Sequence, residues 1–86
     1  ALAILTGVEK VAINFNTPHQ RDLDELTVAH AEKYMAEGQF PEGSMLPKIR
    51  AALRFTTSGP GRKTLITSLD KLVEGLEGRT GTWIVP

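Results

Sequence analysis

Apolar residues crowd the start of the chain, where Leu2-Ala3-Ile4-Leu5 runs unbroken to Thr6, the pattern of a strand covered on both faces. Val11-Ala12-Ile13-Asn14-Phe15 then alternates, with Val11, Ile13 and Phe15 on one side. Only Gly7-Val8-Glu9-Lys10 separates the two runs, which predicts an antiparallel hairpin. Asn16-Thr17-Pro18 ends the second strand, because proline cannot donate to a ladder and pushes its predecessor out of helical geometry.

Past the polar stretch His19 to Leu26, Thr27 is a good N-cap, and Val28, Ala31 and Met35 share one helical face up to a stop at Gly38. A second helix is predicted from about Leu46 to Thr57, with Ser44 or Met45 at its cap and Pro47 in its first turn. Ile49, Ala52, Leu53 and Thr56 repeat there at helical spacing. After the Ser58-Gly59-Pro60-Gly61 loop, Lys63 to Thr67 reads as a strand, and Ser68 caps a third helix. In that helix Leu69, Leu72, Val73 and Leu76 give the clearest amphipathic signal of the sequence, closed by Gly78. Thr82 to Val85 is a last strand. The order β-β-α-α-β-α-β predicts an α/β sandwich with helices on a largely parallel sheet, in one unit spanning residues 1–86.

Composition narrows the function classes. Ten basic and ten acidic residues cancel among 86, with no charged stripe or tail, so neither nucleic acid nor an anionic membrane is an expected partner. Without cysteines there are no disulfides and no thiolate metal sites, which fits a reducing cytoplasmic setting. No apolar run approaches the ~20 residues that span a bilayer. An opening inside an apolar strand, with no initiator methionine, reads as the interior of a longer chain.

One short stretch has the chemistry to hold a phosphate. Gly43-Ser44-Met45-Leu46-Pro47-Lys48 combines a glycine turn, a helix start whose first N–H groups lack helical partners, and a lysine. A cation in the first turn of a helix is misplaced by about 0.3–1 kcal/mol, and an anion between Lys48 and the helix start would reverse the sign. Taken alone, the pattern fits a solvated surface lysine more often than a ligand. The Gly59-Pro60-Gly61-Arg62-Lys63-Thr64 run is not a Walker A loop, since Arg62 intrudes and a strand follows where a helix is required. His19 and His30 have no partner at metal-ligand spacing, so no metal site is assigned. Asp22, Asp24 and Glu25 look like a solvated approach to a helix, and no nucleophile with a base and an orienting group can be assembled.

Three blocks carry a resemblance: Ile4 to Pro18, Leu26-Thr27-Val28-Ala29, and Gly38 to Ala52 with its Gly-Ser-Met-Leu-Pro-Lys core. In order and spacing they resemble the C-terminal portion of carbamate kinases, of the amino-acid kinase family, and the likeness runs on through Ile66-Thr67-Ser68-Leu69 to Gly81-Thr82. It implies a three-layer α/β/α sandwich of the carbamate kinase-like type and phosphoryl exchange between ATP and carbamate, giving ADP and carbamoyl phosphate in arginine fermentation. Thr6, Gly7 and Val8 would border the base and ribose; Gly43, Ser44 and Met45 would shape the other wall. Lys48 would reach the phosphates and serve catalysis. Mg²⁺ would accompany the nucleotide, an N-terminal lobe would supply the carbamate pocket and glycine-rich phosphate loops, and the full-length enzyme would be a cytoplasmic homodimer. This stretch alone should be inactive. A stand-alone nucleotide-binding or regulatory module without catalysis is the alternative.

Overall fold

The computed structural model describes residues 1–86. Its strands are β1 (Leu2–Thr6), β2 (Ala12–Ile13), β3 (Arg21–Asp22), β4 (Glu25–Thr27), β5 (Thr64–Ser68) and β6 (Thr82–Val85). The helices are α1 (Val28–Ala36), α2 (Met45–Thr56) and the short α3 (Leu72–Leu76), which a 3₁₀ turn at Leu69–Lys71 introduces. Four strands form one sheet in the order β1-β5-β6-β4, while β2 and β3 make a separate two-stranded ribbon.

Capping and periodicity explain the two longer helices. Thr27 caps α1 as expected, its hydroxyl accepting from the His30 N–H at 3.1 Å, and Gly38 ends the helix region with φ +73°. Ile49, Ala52 and Thr56 of α2 are buried, so the i, i+3, i+7 stripe lies on the sheet. The Thr56 hydroxyl meets that of Thr64 at 3.0 Å, and the Thr64 hydroxyl donates to Ala52 O at 3.3 Å, so the buried polar atoms between α2 and β5 are satisfied. Register puts Ile4, Ile66, Ile84 and Leu26 on this face, where they join Ala31, Ile49 and Ala52 in the core.

The opposite face carries only α3. Leu65 and Thr67 of β5 point there, and Gly75 comes so close that a Cβ would sit 2.9 Å from the Leu65 Cδ2. The result is a three-layer α/β/α arrangement with α1 and α2 on one side and α3 on the other.

Four expectations need correction. The predicted hairpin between Leu2–Thr6 and Val11–Phe15 does not form. Instead β1 pairs in parallel with β5, and Ala12–Ile13 pairs antiparallel with Arg21–Asp22. Asn14 takes up φ +52°, a left-handed turn that asparagine tolerates, and so the chain folds back one residue after Ile13 and Phe15 leaves the alternation, 62% exposed. The main sheet is largely parallel as expected, β1–β5 and β4–β6 being parallel and only β5–β6 antiparallel. Within the stretch taken as polar, β3 and β4 are strands. Finally, β1 is covered on one face only, and the apolar stripe of the third helix points outward: Leu69, Val73 and Leu76 are 71%, 63% and 55% exposed. Close approach of Gly75 to β5 helps seat α3, and of the stripe only Leu72 is half-buried.

Candidate functional site

The carboxyl end of β1 opens into a cleft of about 710 Å³. One wall is the turn Thr6–Lys10. The facing wall comes from the α1–α2 connection at Gln39–Pro41 and from the start of α2, and the β2–β3 ribbon supplies the third side through Ala12, Phe15 and Asp22. Of the seven residues singled out from the sequence, Thr6, Gly7, Val8, Ser44, Met45 and Lys48 all line it. Gly43 does not; it sits outside in the turn that leads to α2.

Lys48 is half-buried, and its ammonium donates to the Thr6 hydroxyl at 2.9 Å, across 42 residues of sequence. No carboxylate lies within ion-pair distance of it; the chain's ion pairs are Lys10–Asp24, Lys71–Glu74 and Arg79–Glu77. A half-buried ammonium with a single neutral partner has two donors left over. Lys10, the other lysine of the cleft, is engaged differently. It donates to the exposed Asp24 carboxylate at 2.5 Å, and that hydrogen bond, against a small cost of burial, holds Lys10 above its ordinary value of 10.5. Glu9 is also occupied, its carboxylate accepting from the Thr80 hydroxyl and its carbonyl from Thr67.

The helix start offers less than the sequence suggested. Leu46 N–H is taken by Pro41 O at 2.9 Å, Pro47 has no N–H, and the Ser44 side chain makes no cap bond. At most the Met45 N–H remains in that first turn for an anion. The free donors at this end of the cleft are therefore mainly those of the Lys48 ammonium.

Sequence reasoning passed over Phe15, Gln39 and Phe40, which also face the cleft. The Gln39-Phe40-Pro41 run directly precedes the glycine turn, and its place in the chain was the available signal. Phe15 carried none, because its alternation with Val11 and Ile13 pointed inward.

Fold and cleft together define an α/β unit with an open cleft at the carboxyl end of a strand, the place where such sheets bind ligands. No family model matches the chain. It is 54% identical over 83 residues to carbamate kinase 2 of Staphylococcus aureus strain bovine RF122 / ET3-1, a match covering 96% of this chain and 26% of that protein. A carbamate kinase from Giardia lamblia bound to AMP-PNP superposes with a TM-score of 0.91 at 40% identity, over 98% of this chain and 26% of that one. A crystal structure from Aeropyrum pernix K1 matches with a TM-score of 0.86 at 37% identity, over 98% and 27%. This chain is homologous to one part of the carbamate kinases. It spans about a quarter of the length of the relatives it matches.

Proposed function

We propose that the chain is the C-terminal, nucleotide-binding part of a cytoplasmic carbamate kinase that interconverts ATP and carbamate with ADP and carbamoyl phosphate, in arginine fermentation. The observation that carries this reading is the Lys48 ammonium, unpaired by any carboxylate and held by Thr6 at the end of β1, inside a cleft of nucleotide size. The AMP-PNP in the Giardia lamblia relative supports a nucleotide as the occupant.

In this reading Thr6, Gly7 and Val8 border the base and ribose; above Gly7 the space is open, with nothing within 4 Å of where a Cβ would be. Ser44 and Met45 form the opposite wall, with Gly43 turning the chain into it. Lys48 lies against the phosphates and stabilises the charge that shifts among their oxygens as the phosphoryl group moves. Neutral Thr6 orients the ammonium without satisfying its charge, which leaves that charge available to phosphate.

The fit to magnesium is poor within this chain. No three His, Cys, Asp or Glu side chains converge, and Glu9 of the cleft is already bonded to Thr80. A Mg²⁺ ion accompanying ATP would be held chiefly by phosphate oxygens. In-line transfer needs both reactants clamped, so carbamate binding is assigned to an N-terminal lobe of a homodimeric full-length enzyme.

Lys48→Ala in the full-length enzyme tests the assignment. Loss of a placed charge donor lowers kcat by about 10²–10³, and with so few backbone donors at the α2 start the KM for ATP rises as well. Lys48→Arg rescues poorly, since a planar fork does not replace a compact ammonium beside Thr6. Steady-state parameters within about twofold of the parent would mean that Lys48 is merely solvated, given that surface substitutions of that kind change little.

A further inference from the structure

The loop between β2 and β3, residues 14–20, is shaped from within. The Thr17 hydroxyl donates to Asn14 O at 2.6 Å, the Thr17 N–H donates to the same oxygen at 3.2 Å, and Asn16 N–H donates to Gln20 Oε1 at 2.9 Å. These bonds fix the form of the loop and leave its position open. Its base is held where Val11 N–H donates to the buried Thr82 hydroxyl at 2.8 Å. Its first residue, Asn14, is tied to the rest of the fold by Gln39. The Asn14 N–H donates to Gln39 Oε1 at 2.8 Å, and Gln39 Nε2 donates back to Asn14 Oδ1 at 3.1 Å. This two-point amide bridge is half-buried and joins segments 25 residues apart. It grips Asn14, which with Asn16 is one of two left-handed residues flanking Phe15 and turns it out of the strand and towards the cleft.

We propose that Gln39 is a positioning residue which, through Asn14, sets the exposed Phe15 ring over the cleft mouth, where it stacks on the base of the bound nucleotide. The proposal rests on the nucleotide reading of the cleft. A benzyl ring exposed at the end of a doubly bonded loop offers a flat apolar face at low entropic cost, because the turn that carries it is already ordered. Every nucleobase presents a complementary face. Gln39 itself acts at one remove: its amide is consumed by Asn14 on both sides, oxygen and nitrogen alike.

The test is a double-mutant cycle on the full-length polypeptide that carries this chain, with AMP-PNP as the calorimetric probe. Phe15→Ala and Gln39→Leu are each expected to weaken AMP-PNP binding about tenfold, within the range known for base–aromatic stacking. The double variant should bind no more weakly than Phe15→Ala alone, because Gln39 acts through Phe15. In turnover the loss falls on the KM for ATP rather than on kcat. Gln39→Glu, which keeps the acceptor for Asn14 N–H but sets a carboxylate oxygen against Asn14 Oδ1, should recover only part of the affinity. If Gln39→Leu does not fold, Asn14→Gly takes its place, since glycine accepts the φ of +52° and removes only the side-chain half of the bridge. Additive losses, or unchanged binding by Phe15→Ala, overturn the proposal. Should Lys48→Ala impair the enzyme while Phe15→Ala binds AMP-PNP normally, this inference alone fails; should neither matter, the nucleotide reading falls with it.

Discussion

Beneath α1 and α2 the sheet presents Ile66 and Ile84, fully buried, with Ile49 and Ala52 of α2 closing over them. Beneath α3 the same strands present Leu65 and Thr67, also fully buried, yet their cover is two glycines, Gly75 and Gly81, while Leu5, Leu69, Val73 and Leu76 lie exposed around them. Trp83 on that side has the Lys63 ammonium 4.6 Å from its ring centroid. Apolar content is similar on both faces, but one has interlocking side chains and the other a close backbone approach. Stability should accordingly be concentrated on the α1/α2 face, which also positions the cleft through α2 and Lys48.

The sharpest way to break this contrast is Ile49→Ala. Ile49 is fully buried at the centre of the core, and truncation there costs about 2–5 kcal/mol. That is comparable with the whole stability of a domain this small, so urea or thermal melts of the 86-residue chain should lose their cooperative transition. A loss below about 1 kcal/mol, less than a single well-packed methylene series implies, would place the stabilising core elsewhere.

Comparable in size is Thr82→Val, an isosteric change at a fully buried position. The Thr82 hydroxyl accepts from Val11 N–H at 2.8 Å and donates to Leu23 O at 2.6 Å, stitching the β2–β3 ribbon to β6. Valine leaves a buried donor and a buried acceptor unpaired, at about 1–3 kcal/mol each. Amide exchange should quicken in residues 11–23 before it does in α2; uniform acceleration would deny the ribbon a separate attachment.

These two sites differ in how legible they are in the sequence. The α2 stripe could be read from spacing because twelve residues sample more than three helical turns, and the cap at Thr27 and the stop at Gly38 are local signals. The convergence of Thr6–Val8 with Ser44–Lys48 came from the resemblance, and the 2.9 Å contact of Lys48 with Thr6 now joins those segments. Hidden from sequence were β3 and β4, two or three residues each, too short for any period to register, whereas β2 falls within the alternation from Val11 to Phe15. Hidden too was the partner of β1: a parallel pairing with a strand some sixty residues on leaves no local mark, whereas a glycine-led turn beside it does. The α3 stripe misled because periodicity reports an apolar face and says nothing of which surface that face meets.

A smaller effect is expected at the Lys10–Asp24 pair, on the cleft rim. Lys10 is raised above 10.5 chiefly by the hydrogen bond to Asp24. A raised lysine contributes stability that is fully present below its unfolded value and fades as pH climbs through the folded one. Lys10→Met should therefore lower stability by about 0.2–1 kcal/mol, the range for exposed pairs, since Asp24 is largely solvated. The offset should stay constant from about pH 6 to 9 and shrink in high salt. An offset that changed steeply within that window would mean that another group titrates with the pair.

The smallest effect is predicted for the face beneath α3, and it bears most directly on the contrast between the two sides. Leu69, Val73 and Leu76 occupy the positions that a helical period marks as core, yet each is more than half exposed. Replacing all three by glutamine retains or improves helix propensity, so the substitution probes their burial and little else. An inward-facing set would lose about 1.5–3 kcal/mol per side chain, enough to unfold the unit. An outward-facing set loses almost nothing, about 0.5 kcal/mol or less at each site, because α3 is seated in part by the Gly75 backbone against Leu65 and Thr67. Urea melts of the triple variant should superimpose on the parent to within that margin in midpoint, with an unchanged slope. A cooperative loss of several kcal/mol in the 86-residue chain would show that α3 turns its leucines to the sheet in solution, and the two faces would then be held by the same kind of packing.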